Sequence, residues 1–139
     1  MATEKNKWVE AIGRLLKLTQ DRQLIWKSSE PPEHLKSQPD RHVDVVYQAN
    51  YKDNILRLYE LTYKVEEPDP STSVTVSSVW NWKRKYPYWV STTVLELVDY
   101  KGLGTWRFPY TEASSHLLNA VKYQVAGVEG FLSEILIEA

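Results

Sequence analysis

Residues 43–65 read VDVVYQANYKDNILRLYELTYKV, and they decide the fold: apolar side chains recur there largely at every second position on both sides of Lys52, Asp53 and Asn54. Period-two alternation marks a strand with one dry face. Lys-Asp-Asn is a turn composition, so the stretch predicts a β-hairpin. The side chains also argue for a loop length. A two-residue turn at Asp53 and Asn54 sets Tyr47 against Glu60 and Val45 against Thr62. A three-residue loop over Lys52, Asp53 and Asn54 instead sets Val43, Val45, Tyr47 and Tyr51 against Tyr63, Leu61, Tyr59 and Ile55. A slip of one residue exchanges the two faces of a strand. The three-residue loop, which gathers one continuous apolar face, is therefore expected, with Asn54 in the left-handed conformation such loops need.

Upstream of the hairpin, Trp8, Ile12, Leu15, Leu16 and Thr19 fall at helical spacing, with Lys5, Glu10, Arg14 and Lys17 turned mostly to water. This predicts an amphipathic helix over residues 4–19. Gln23 to Lys27 reads as a short strand, and SSEPPEHLKSQPDR, with three prolines and no period, as a loop. Downstream, EPDPST turns the chain into SVTVSSVWNW, which pairs with YWVSTTVLELV across Lys83 to Pro87. That register sets Trp82 against Tyr88, Trp80 against Val90 and Val76 against Val94, all favourable cross-strand pairs. DYKGLG is a further turn and TWRFP a short edge strand ended by proline. From Ser114 the helical period returns. Leu118, Val121, Val125, Val128, Leu132 and Ile135 form one apolar seam, with Thr111 or Ser114 as the cap. Gly127 and Gly130 leave open whether that segment is one helix or two.

A chain of 139 residues fits one domain with its own core. Seventeen basic against eighteen acidic side chains provide no global field to concentrate nucleic acid or anionic lipid, so any such affinity needs a local patch. Zero cysteines exclude a disulfide framework and thiolate chemistry. No apolar run of eighteen residues is present, and the N-terminal stretch lacks the apolar region of an export signal, so a cytoplasmic location without membrane contact is expected. Six Trp and nine Tyr against two Phe favour rings with a polar handle, which suit half-wet sites and interfaces.

The local patch is WNWKRKYPYW, residues 80–89, where five rings surround three consecutive cations. Stacking platforms beside cations are the ingredients of sequence-tolerant single-strand binding. Residues 80–110 hold five basic and two acidic side chains, enough only for weak, salt-sensitive contacts. The preferred reading is a hairpin whose cations are solvated at its tip. Asp40, His42 and Asp44 would share one face of a strand and so could orient an imidazole or hold a metal. No nucleophile or convergent acid accompanies them, and polar residues leading into a strand are common. The G-x-G of DYKGLGT lacks the third glycine and the helix that would hold a pyrophosphate. Phosphate loops, nucleophile elbows and zinc spacings do not occur.

VYQANYKDNILRLYELTYK, STTVLELVDYKGLGTWRFP and LLNAVKYQVAGVEGFLSEIL together resemble a group of small uncharacterised bacterial proteins. In that group an N-terminal helix, an antiparallel meander ending in a W-x-F-P strand, and a helix with a YQVAGV-like segment follow one another. The resemblance covers most of the chain outside residues 28–42 and 68–88. It implies that order of elements and no activity, and it carries over no catalytic or binding residue. The stretch from Trp80 to Trp89 is longer and richer in rings than the group's usual pattern.

The expectation is a single α+β domain over residues 1–139: a five- or six-stranded antiparallel meander sheet with N-terminal and C-terminal helices on one face. The reading leans against an enzyme and implies no cofactor and no metal. It favours a non-enzymatic interaction or assembly protein, a homodimer or the partner of another protein, using its amphipathic rings. The alternative is a binding module for an anionic ligand or single-stranded nucleic acid, with contacts at Trp80, Trp82, Lys83, Arg84, Lys85 and Tyr86.

Overall fold

The computed structural model describes residues 4–36, 38–67, 85–99 and 104–137. It is an α+β fold in which helix α1 (Glu4–Gln20) precedes six strands, and helices α2 (Glu112–Val125) and α3 (Val128–Ile137) follow them. The strands are β1 (Lys27–Ser29), β2 (Arg41–His42), β3 (Val46–Tyr51), β4 (Asn54–Val65), β5 (Tyr88–Val98) and β6 (Gly104–Arg107). All pairings are antiparallel. The sheet runs β1-β3-β4-β5-β6, with β2 continuing alongside β4 beyond the end of β3. A single 3₁₀ turn, Glu33–Leu35, interrupts the proline-rich connection between β1 and β2.

The first hairpin forms with a different register from the one its apolar pattern predicts. Tyr51 pairs with Asn54, so the loop is Lys52 and Asp53 alone, and Lys52 rather than Asn54 takes positive φ, at 55°. Tyr47 then opposes Leu58 and Val46 opposes Tyr59. The expected register assumed one apolar face; the sheet buries apolar side chains on both. Tyr47, Ala49, Leu56, Leu58 and Leu95 point to the helices and pack with Ile12, Leu117 and Val121. Val46, Tyr59 and Val94 point the other way and form a second cluster with Val43, Leu35 and Leu61. β4 pairs directly with β5 along eleven residues, Ile55 to Val65. The expected partners of β5 at Val76, Trp80 and Trp82 lie outside the described residues.

Burying both faces of β4 brings a charge inside. Arg57 lies between Leu56 and Leu58, so it must occupy the face away from the helices, where it is 2% exposed. Glu96 stands directly opposite on β5. Its Oε1 accepts from Arg57 Nε at 2.7 Å and lies 2.6 Å from Nη2. The register extends this into a polar row across five strands, Lys27, Gln48, Arg57, Glu96 and Arg107.

On the helical side, α1 docks through its predicted face: Ile12 and Thr19 are buried, and Trp8 stacks on Trp106 of β6 at 4.8 Å and meets Phe108 edge-on at 5.4 Å. The expected strand at residues 23–27 begins only at Lys27. The preceding residues are pinned instead by Gln124 of α2. Its amide nitrogen donates to the carbonyls of Thr19 and Leu24 at 3.0 and 2.9 Å, and its oxygen accepts from Trp26 N at 2.8 Å. Trp26 Nε1 in turn donates to Thr19 Oγ1 at 2.9 Å. One side chain thus ties α2 to both ends of the connection leaving α1, and the core residues Leu24 and Trp26 are held in place.

Replacing one partner of a buried ion pair strands the other. Glu96→Ala is therefore expected to lower unfolding free energy by about 3–5 kcal/mol in urea titration, whereas Glu96→Gln, which keeps an acceptor and the shape, costs less.

Candidate functional site

The end of α1 is built in an unusual way. Gln23 N–H donates to Leu18 O at 2.9 Å and Arg22 N–H to Thr19 O at 3.2 Å. This 6→1 and 5→2 pair is the Schellman closure, in which the left-handed position is usually glycine. Here it is Arg22, at φ 60°. An L side chain in that conformation is strained by about 1–2 kcal/mol. The strain sets the Arg22 side chain at the mouth of a cleft.

That cleft, about 620 Å³, lies where the end of α1 meets α2 and α3. Leu16, Thr19 and Ala120 floor it, and Gln20, Arg22, His116, Asn119, Tyr123 and Glu129 supply its polar rim. α2 reaches it because Thr111 starts the helix: Thr111 N–H donates to Ser114 Oγ at 3.3 Å and Ser114 N–H to Thr111 O at 2.9 Å. α2 ends at Val125, the chain turns through Gly127, whose φ of 69° suits glycine, and it restarts as α3. The seam from Leu118 to Ile135, which left one helix or two open, is therefore divided between two. Across the break Tyr123 OH donates to Glu129 Oε1 at 2.7 Å. This hydrogen bond, followed by desolvation and the Glu129 charge, raises the Tyr123 pKa above its ordinary value, against the opposing charge of Arg22. The phenol stays protonated, and so a donor, throughout the neutral range.

α3 turns its sides the opposite way from an ordinary surface helix. Glu129, Gly130 and Ser133 face the end of α1, where they line a shallow continuation of the cleft with Gln20, Asp21 and Arg22. Its apolar side chains face solvent: Phe131 is 60% exposed, Ile135 51% and Leu136 70%. No residue of α3 is buried. At 100° per residue, Phe131, Ile135, Val128, Leu132 and Leu136 form one arc of about 140°. A soluble helix normally turns such an arc inward.

The residues singled out from the sequence fare differently. Trp80, Trp82, Lys83 and Arg84 lie outside the described residues. Lys85 is exposed, and the half-buried Tyr86 sets its ring 5.3 Å from that of Tyr88. Asp40, His42 and Asp44 do not share a strand, because β2 ends at His42 and the chain bends at Asp44. His42 meets the ring of Trp89, at 5.7 Å, rather than a carboxylate. Among the described residues no group of three His, Asp or Glu is placed to hold a metal ion, and no helix is long and apolar enough to cross a membrane. Arg22, Tyr123 and Glu129 were not anticipated as site residues. The one available signal was the pair of glycines in AGVEG, which marks a break after which the seam need not keep facing the sheet.

No protein-family model, no curated protein and no solved structure matches the chain.

Arg22→Gly removes the strain at the helix end without touching the core. It is expected to raise unfolding free energy by up to about 1 kcal/mol, read from thermal or urea denaturation. A loss of stability would mean that the Arg22 side chain contributes more by its contacts in the cleft than its backbone costs.

Proposed function

We propose that the chain is a non-enzymatic assembly protein of the cytoplasm that pairs with a second copy of itself through α3. The observation that carries this reading is the outward apolar arc of α3, on a helix whose polar side faces the end of α1 across the cleft and bonds Tyr123. Three arguments select a second copy over other occupants. The arc carries no charge, so two copies related by a two-fold axis meet without like-charge repulsion. Phe131, Leu132 and Ile135 keep the three-and-four spacing by which helices interdigitate. An anionic membrane surface would select Lys or Arg on the polar side, where α3 offers Glu129 and Glu134.

The size of the arc sets the strength. Ten residues make a helix about 15 Å long, short of the roughly 800 Å² per partner of a standard interface. The dimer is therefore of micromolar rather than nanomolar affinity. Partner exchange at cellular concentrations is then rapid, as suits an assembly component.

Sedimentation equilibrium tests this directly. The unaltered chain is expected to be dimeric at high micromolar concentration. Leu132→Glu with Ile135→Glu should be monomeric, weakened at least about a hundredfold, with the wild-type thermal midpoint at concentrations too low for pairing, because both side chains are exposed in the single protomer. A wild-type chain that stays monomeric throughout, or one that floats with phosphatidylserine vesicles instead, would remove the reading.

A further inference from the structure

On the sheet face away from the helices, a cavity of about 160 Å³ opens between the 3₁₀ turn and strands β2, β4 and β6. Its walls are Leu35 and Leu61, and Lys36, Arg41 and Arg107 bring three cations to it. Among the described residues no Asp or Glu lines it. The volume is well below the roughly 300 Å³ at which pockets for drug-sized molecules begin. It suits one small anionic group.

The cations are engaged by partners that leave most of their capacity unused. Arg41 donates Nε to the neutral Gln38 Oε1 at 3.3 Å, which leaves the outer fork of its guanidinium. Lys36 reaches Glu33 at 3.3 Å, but that carboxylate is 89% exposed, so the pair is well hydrated. Arg107 Nη2 donates to Tyr59 OH at the long distance of 3.5 Å. The acid paired with Arg107 across the sheet, Glu96, is already held by Arg57.

Tyr59 is the second, independent observation. Its residue exposure is 0%, and its hydroxyl accepts from Arg107 while its own proton meets no acceptor among the described residues. That hydroxyl can still donate, and it belongs to a residue that lines the cavity. Burial, then the Glu96 charge, raises the Tyr59 pKa, so the hydroxyl remains a donor.

We propose that this cavity binds a phosphoryl group, as inorganic phosphate or the head of a phosphomonoester. Arg41 and Arg107 supply bidentate donors, Lys36 a point charge and the Tyr59 hydroxyl a neutral donor at the floor. Three cations match a dianion better than the single charge of a carboxylate, and guanidinium forks fit the spacing of phosphoryl oxygens.

Calorimetric titration of the intact chain at low ionic strength tests this, with inorganic phosphate, glycerol phosphate and acetate as probes. Phosphate is expected to bind with a Kd on the order of 0.1–1 mM and acetate at least about tenfold more weakly. Arg41→Gln, at an exposed position, should weaken phosphate at least about tenfold. Tyr59→Phe, which changes no charge, should weaken it about three- to tenfold. Lys52→Gln, in the hairpin loop outside the cavity, should leave it unchanged. Tighter binding of the ester would identify a phosphomonoester as the ligand, and equal or weaker binding free phosphate. No saturable heat up to about 10 mM phosphate, acetate binding as well as phosphate, or equal losses in Arg41→Gln and Lys52→Gln would each overturn the proposal.

Discussion

An arginine at the centre of a sheet can be buried only beside an acid, and the meander is organised around that requirement. In β4 every residue alternates between the helices and the opposite face. Placing Leu56 and Leu58 under α1 and α2 therefore forces Arg57 and Tyr59 outward together. Glu96 must then sit across from Arg57 on β5, which fixes the β4–β5 register along its full length. A shift by one residue would point Leu95 and Leu97 away from the helices and leave two charges buried on wrong faces, an error of several kcal/mol. The pair specifies the fold more than it stabilises it: a well-packed apolar pair of similar volume would serve stability as well.

The same alternation explains why the molecule has two kinds of candidate site. The helical side is a core closed by Gln124, whose three hydrogen bonds settle the connection from α1 to β1 and leave the cleft at Arg22 as the opening. The other side is covered by a short 3₁₀ turn over Tyr59 and Leu61. A cover so small leaves cations at its margin instead of a sealed second core. Both openings arise where a covering element runs out.

Much of the fold was legible, and the reasons for the rest are physical. The face of α1 could be read from Trp8, Ile12 and Thr19, because helical periodicity is a local property. The existence of the first hairpin and the W-x-F-P edge strand were equally local. The hairpin register was not. It depended on whether one face or both were buried, and burial of the second face is set by Leu35 and Val94, which lie outside the hairpin. A signal was nonetheless present. LRLY and VLELV each set one charge amid apolar residues, a basic and an acidic strand centre that complement each other across a pair. The outward turn of α3 was hidden for a different reason. The spacing of Leu118, Val121, Val125, Val128, Leu132 and Ile135 is unbroken, and only the conformation of Gly127 separates the half that faces the core from the half that does not.

That separation also bears on how α3 is held. Within the protomer it packs on α2 and buries none of its own residues, so its position relies on the backbone restart at Gly127 and on the Tyr123–Glu129 hydrogen bond. An exposed hydrogen bond of this kind contributes little, not enough to hold an isolated ten-residue helix, which is marginal in water. A helix of such composition becomes well ordered when its apolar arc is covered. The acidic residue at its start, Glu129, favours the helical state through the dipole while also bonding Tyr123. Helix order in α3 and the wall of the cleft are therefore coupled: the same Glu129 that opens the helix bonds Tyr123 and lines the cleft with Arg22.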